Sequence, residues 1–132
     1  KFFAMFMVGM AMCLSFSSCL LVGDVNDIGK VSDLGDNGSE LTWRCNAAIA
    51  EVTFHYGYKG NTITYHYDEY KYGSILVAKG VYSDLKSDEE VKYEIDGKVI
   101  THTYSESEFS DWTTEDVRTL YEEMKEGLHL PD

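Results

Sequence analysis

Residues 50–68 read AEVTFHYGYKGNTITYHYD, and this stretch decides the fold. Apolar or aromatic residues alternate with polar ones on both sides of Gly60-Asn61, which is the pattern of two half-buried strands. The Gly-Asn pair suits the positive φ that a tight hairpin turn demands. The stretch therefore predicts an antiparallel β-hairpin.

This turn also predicts which side chains face the core. With Gly60 and Asn61 as the two loop residues, the apolar faces of the two strands coincide. The predicted core pairs are Tyr58 with Ile63, Tyr56 with Tyr65, and Phe54 with Tyr67. On the other face, the same register places His55 opposite His66 and Thr53 opposite Asp68. We therefore expect the tyrosines of these pairs in the core and both histidines on a solvated face.

Around this hairpin the sequence predicts three more strands and one helix. A continuous apolar run predicts a covered strand over 72–82. A second hairpin around Asp96-Gly97 joins 91–95 to 99–104 and places His102 among apolar side chains. Thr113 caps a predicted helix over 114–126. The predicted fold class is α+β, a mainly antiparallel meander of about five strands with one C-terminal helix packed on it.

The first 23 residues contain one charge, Lys1, and no acid. An apolar run follows Lys1 and passes into serines before Cys19, which is the pattern of an export signal. Phe16-Ser17-Ser18-Cys19 resembles the end of a bacterial lipoprotein signal, although Phe16 stands where that pattern usually has Leu. The resemblance implies a removable signal peptide, 1–18, and a Cys19 that carries acyl chains such as palmitate. A transmembrane anchor over 2–22 and secretion without a lipid are the alternatives.

The chain therefore divides into a signal peptide (1–18), a lipidated N-terminus with a flexible acidic spacer (19–40), and one small α+β domain (41–132). Gly and Asp dominate the spacer, a composition that keeps a chain solvated. We expect the protein in the cell envelope, anchored to a bacterial membrane through Cys19, with the outer membrane favoured and the facing side open. The domain is loosely similar to lipocalin-like barrels, but it has too few strands and none of their motifs.

The charge of the chain excludes some partners. Its 132 residues hold 23 acids and 11 bases, for a formal net charge of -12. This is the wrong sign for a nucleic-acid binder, and an anionic lipid surface would repel it too. Of the three cysteines, Cys13 leaves with the signal and Cys19 takes the lipid. Cys45 then has no partner for an intramolecular disulfide, and we interpret it as a small buried hydrophobe.

Two sets of side chains are candidates for a site. His55 and His66, with Asp68 on the same predicted face, offer nitrogen and oxygen ligands for zinc or copper, and two merely solvated histidines are the alternative. Tyr70 and Tyr72, at the bend before the predicted third strand, are candidates for contact with a protein or glycan.

Catalytic motifs are missing from the sequence, so we expect no catalytic residues and no cofactor. The sequence thus predicts an envelope lipoprotein that acts as a binding or interaction module. The alternative is a metal-binding or hydrolytic protein that uses His55, His66 and nearby carboxylates.

Overall fold

The structure is a computed structural model, and it describes residues 28–87 and 91–127. Within them, one six-stranded antiparallel sheet has the order β1-β2-β3-β4-β6-β5. Its strands are β1 (Gly35–Asp36), β2 (Glu40–Asn46), β3 (Ala50–Lys59), β4 (Thr62–Tyr72), β5 (Val91–Asp96) and β6 (Val99–Tyr104). The helices are α1 (Ile75–Asp84), α2 (Glu106–Phe109) and α3 (Thr114–Gly127). The α+β class and the C-terminal helix are confirmed, with six strands in place of about five.

The predicted third strand over 72–82 is wrong, because most of this segment forms helix α1. The Ser74 side chain accepts a hydrogen bond from the Val77 amide at 3.2 Å, which caps the start of the helix. Ala78 and Val81 are buried at helical spacing, whereas Leu76 is 81% exposed. A short continuous apolar run fits a covered strand and a buried helix equally well, so its periodicity does not distinguish the two structures.

The β3–β4 hairpin follows the predicted register only beside its turn. Tyr58 pairs with Ile63 as predicted, but a bulge between Gly57 and Tyr58 shifts all later pairs by one residue. Tyr56 then lies opposite His66, and His55 lies opposite Tyr67. A one-residue shift moves every side chain of a strand to the other face. From Tyr65 onward, the predicted faces of β4 are therefore exchanged, whereas Ile63 lies in the core as predicted.

A close contact at Gly57 accompanies this bulge. A Cβ atom on Gly57 would lie 1.9 Å from Cε2 of Tyr65, so the Tyr65 ring occupies the space that a side chain would need. Glycine inside a strand often marks such a bulge or a close approach. The pairing of Tyr65 with Gly57 thus brings the ring flat onto the backbone of β3.

The second hairpin has the predicted faces. Tyr93 pairs with His102 and Ile95 with Ile100, and His102 is buried among its neighbours. The loop is Gly97-Lys98 rather than Asp96-Gly97, with Gly97 at a φ of 60°. Moving the turn by one position displaces the pairing by two residues, and this leaves the faces unchanged.

Helix α3 begins as predicted. The Asp116 amide donates to Oγ1 of Thr113 at 3.2 Å, and the Thr113 amide donates to Oδ2 of Asp116 at 2.9 Å, so the two residues cap each other. The predicted apolar stripe is buried: Val117, Leu120, Tyr121 and Met124. Tyr121 meets the edge of Trp43 with ring centroids 5.5 Å apart, which fixes α3 on the sheet.

Part of the predicted spacer belongs to the folded unit. Val31 forms a bridge with Cys45, and β1 pairs with β2. The Tyr121 hydroxyl donates to the Ser32 carbonyl at 3.1 Å and accepts from the Leu34 amide at 3.2 Å. Residues 31–36 therefore pack on β2 and α3, which differs from the expected flexible spacer.

The predicted signal peptide (1–18), Cys19 and the first part of the spacer (19–27) lie outside the described residues. Over 28–87 and 91–127, no helix combines the length and the apolar character that crossing a membrane requires.

Candidate functional site

The sheet has two faces of different character. The core face is packed against α1 and α3, whose Ala78, Val81, Val117 and Leu120 join its buried side chains in one cluster. We name the other side the open face, because each of its side chains is at least partly exposed. It comprises Glu40, Thr42, Arg44, Asn46, Glu51, Thr53, His55, Lys59, Tyr65, Tyr67, Glu69, Lys71, Lys92, Glu94, Asp96, Val99, Thr101 and Thr103.

His55 lies at the centre of the open face between two carboxylates. Its Nδ1 is 3.0 Å from Oε1 of Glu40, and its Nε2 is 2.6 Å from Oε1 of Glu69. Ionised carboxylates only accept hydrogen bonds, so the ring satisfies both contacts at once when each nitrogen carries a proton. Three neighbouring strands thus hold one imidazole in a fixed orientation.

Glu40 contacts several side chains of this cluster through its carboxylate. Its carboxylate accepts a short hydrogen bond from the Tyr65 hydroxyl and another, of 2.8 Å, from Oγ1 of Thr42. Burial raises the pKa of Glu40, but the hydrogen bonds from Tyr65, His55 and Thr42 outweigh it and hold the pKa below its usual value. The hydrogen bond to Glu40 also raises the pKa of Tyr65 to about 12, so at neutral pH a neutral phenol donates to an ionised carboxylate.

Aromatic rings continue the cluster along β4. Tyr67 stacks on His55 with ring centroids 4.2 Å apart and an interplanar angle of 8°. Tyr65 lies beside Tyr67 at 5.9 Å and is 40% exposed. The open face therefore offers ordered aromatic surface next to hydrogen-bonding groups.

The core face holds a second histidine cluster. His66 Nε2 lies 3.0 Å from Oδ1 of Asp68, and the Tyr104 hydroxyl donates to Oδ2 of Asp68 at 3.3 Å. The His66 ring is sandwiched between Tyr56 at 4.0 Å and Tyr104 at 4.1 Å. Burial raises the pKa of Tyr104 well above its usual value, and the charge of the nearby Asp68 carboxylate raises it further. His66 and Asp68 are only 1% and 3% exposed, so this cluster stabilises the core and has no access to a ligand.

The predicted metal site is not formed. His55 lies on the open face, whereas His66 and Asp68 lie on the core face, because the bulge at Gly57 exchanged the faces of β4. Among the described residues, no group of three or more His, Cys, Asp or Glu side chains is arranged to hold a metal ion.

The predicted partner-contact residues are also placed differently. Tyr70 and Tyr72 are 0% and 1% exposed, because both point to the core face of β4. Cys45 is buried as expected, and burial raises the pKa of its thiol to about 11, which makes it a poor nucleophile.

Sequence reasoning assigned Tyr65 and Tyr67 to the core and did not single out Glu40 or Glu69. The sequence contains one signal for this change of face, which is Gly57. A glycine inside a strand often marks a bulge, and a bulge changes the faces of the residues that follow in the paired strand. With that shift, both tyrosines move to the open face.

Comparisons of the chain with protein-family models, with curated proteins and with solved structures found no match.

Proposed function

We propose that this protein is a cell-envelope lipoprotein whose folded domain is a binding module, and that its ligand contacts the open face. One observation carries the proposal: the open face is exposed and yet ordered by its own hydrogen bonds, with His55 held between Glu40 and Glu69. A surface that is already in place loses little conformational entropy when a ligand binds. Side chains on a purely solvated sheet face can hydrogen-bond to water and do not require a network of this kind to satisfy them.

The pairing of the strands places side chains of the open face in a row across the sheet. Thr42, His55, Tyr67, Thr103 and Lys92 lie opposite one another on five neighbouring strands. Four strand spacings of about 4.8 Å make this row about 19 Å long. The row is long enough for an extended ligand, either a glycan or a segment of a protein.

The lipid anchor is the second part of the proposal. Acyl chains on Cys19 would hold the domain at a bacterial membrane, with the outer membrane favoured. Metabolic labelling with a fatty-acid probe tests it. We expect labelled wild-type protein and no label in Cys19→Ala, in which Cys13 is intact. A label that survives this substitution contradicts the anchor.

Chemical-shift mapping tests the binding face. The full 15N-labelled chain in detergent is titrated separately with the polysaccharide and the protein fraction of a bacterial envelope. We expect shifts at open-face amides such as Thr42, Thr53 and Thr103. Shifts confined to α1, around Leu76 and Tyr82, would contradict the open face as the site. Unchanged spectra with both fractions would contradict a binding module.

A further inference from the structure

Tyr65 has the geometry of a preformed stacking platform. One side of its ring lies against the backbone of Gly57, where a Cβ atom would collide with three ring atoms at 1.9 to 2.3 Å. Its hydroxyl is held by Glu40, so the ring does not rotate freely. Because 40% of the residue is exposed, an aromatic surface remains available to solvent. Flat, immobilised aromatic rings of this kind bind other flat apolar surfaces at low entropic cost.

Hydrogen-bonding groups of both kinds lie on the open face, beginning with Glu40 at the Tyr65 hydroxyl. Thr42 and Glu40 lie on β2, His55 on β3, and Glu69 on β4. The carboxylates have lone pairs beyond those used by His55, Tyr65 and Thr42, and the threonine hydroxyls both donate and accept. A ligand that carries many hydroxyl groups beside an apolar ring face matches this arrangement.

The charge of the open face favours a ligand without charge. Its five carboxylates, Glu40, Glu51, Glu69, Glu94 and Asp96, share the face with the bases Arg44, Lys59, Lys71 and Lys92, beside His55. Arg44 also approaches Glu51 at 4.0 Å. By contrast, residues 106–126 carry eight acids and two bases. Half of the formal net charge of -12 therefore lies in residues 106–126, whereas the open face is nearly neutral, so it offers little net attraction to an ionic ligand.

Exposed apolar surface suitable for a protein partner lies elsewhere. In the described part of the chain, the exposed large hydrophobic side chains other than Tyr65 are Ile75, Leu76 and Tyr82, all on α1. Protein interfaces are centred on apolar and aromatic side chains. Backbone pairing with a peptide is also unavailable on the face of a sheet, because the backbone groups there point to neighbouring strands. A saccharide fits the open face better than a peptide does.

From these observations we infer that the open face binds an uncharged oligosaccharide, which stacks on Tyr65 and hydrogen-bonds along the row from Thr42 to Thr103. This inference rests on the proposed function and names the class of its ligand. Because the site is a flat surface, the oligosaccharide lies along the row and remains partly exposed.

Isothermal titration of the full chain in detergent tests the inference, with cellohexaose, xylohexaose, maltohexaose and chitohexaose as neutral probes and oligogalacturonate as the anionic one. We expect binding of at least one neutral probe and weaker or no binding of the anionic one. Tyr65→Ala is expected to raise the Kd about tenfold or more, because the stacking surface is lost. Tyr65→Phe keeps the ring and is expected to stay within about threefold of wild type.

A matched control separates stacking from a general loss of aromatic surface. Tyr82 on α1 is 37% exposed, close to the 40% of Tyr65, and Tyr82→Ala should leave the Kd within about twofold. Gly57→Ala is a second test that keeps Tyr65 itself, because the new Cβ displaces the ring. It should weaken binding as Tyr65→Ala does. Thermal unfolding of each variant verifies that it is folded.

Three results overturn the inference. They are failure of every neutral probe to bind at millimolar concentration, preference for the anionic probe, and a Kd that Tyr65→Ala leaves unchanged. If the neutral probes fail while the envelope protein fraction still shifts open-face amides, only the saccharide class is lost and the proposed function survives. If no fraction shifts the open face, both fail.

Discussion

The two faces of the β3–β4 hairpin carry the same chemical pair in different surroundings. On each face a histidine nitrogen lies 3.0 Å from a carboxylate oxygen, His55 with Glu40 and His66 with Asp68. The side chains of His66 and Asp68 are 1% and 4% exposed, whereas those of His55 and Glu40 are 13% and 18% exposed. Altering a pair that is excluded from water strongly affects the free energy of unfolding, while altering a partly exposed pair costs less. The face, rather than the residue types, determines whether such a pair is structural or available to a ligand.

The largest effect is expected from removing the core-face carboxylate. Asp68→Ala leaves His66 Nε2 without its acceptor in a buried site, and it leaves the Tyr104 hydroxyl with His102 Nδ1, at 3.3 Å, in place of the carboxylate. We expect a loss of about 3 to 5 kcal/mol in the free energy of unfolding. Urea denaturation measures it.

Its neighbour Glu69 is the matched control, since it contacts His55 on the open face. Glu69→Ala should cost less than about 1 kcal/mol. Equal losses in the two variants would contradict the distinction between the faces.

Gly57→Ala tests the bulge that separates the faces. The added Cβ collides with the Tyr65 ring, so we expect a loss of about 1 to 3 kcal/mol in unfolding free energy. The double variant with Tyr65→Ala should recover most of this loss, because the colliding ring is gone. A double-mutant cycle from denaturation curves measures the coupling. Additive losses would show that the ring does not occupy this space.

Matched tyrosine substitutions give a smaller effect. Tyr104 and Tyr65 each donate a hydroxyl to a carboxylate, to Asp68 on the core face and to Glu40 on the open face. Tyr104→Phe should lower the unfolding free energy by about 1 to 2 kcal/mol, because Asp68 then lacks a donor in a buried site. Tyr65→Phe should cost less than about 1 kcal/mol, since water replaces the lost donor. Denaturation that ranks the two variants in the opposite order contradicts this expectation.

The smallest effect is a dependence of stability on alkaline pH. The folded protein raises the pKa of Tyr65 from 10.0 to about 12, mainly through the hydrogen bond to Glu40. The resulting stabilisation is complete below pH 10 and is lost as the pH rises toward 12, because the unfolded chain ionises this tyrosine first. Tyrosinate absorbance of wild type against Tyr65→Phe measures the titration. A Tyr65 that titrates near pH 10 would contradict the contact.

Features with a local cause could be predicted from the sequence. The turn at Gly60-Asn61 and the cap formed by Thr113 depend on residues close together in the chain, and both are present. The placement of His102 among apolar side chains also followed from alternation alone. The metal site of His55, His66 and Asp68 was wrong, because it required that the register of the hairpin continue past Gly57 unchanged.

Strand β2 shows a second cause of error. Glu40 to Asn46 alternates in burial, with Leu41, Trp43 and Cys45 inside, yet the segment was not predicted as a strand. The sequence predicts Tyr70 and Tyr72 at the surface, because it predicts a bend and a new strand after them, where the structure has helix α1. In the structure β4 continues through Tyr72, and both tyrosines face the core.

The α+β class, the turn at Gly60-Asn61, the faces of the second hairpin and the capped C-terminal helix follow from the amino-acid sequence, because they depend on neighbouring residues and on periodicity. The faces of the β4 side chains from Tyr65 onward depend on tertiary structure. One bulge, with the Tyr65 ring packed over Gly57, exchanged the two faces. Its position depends on contacts between strands, which the order of residues along one strand does not specify.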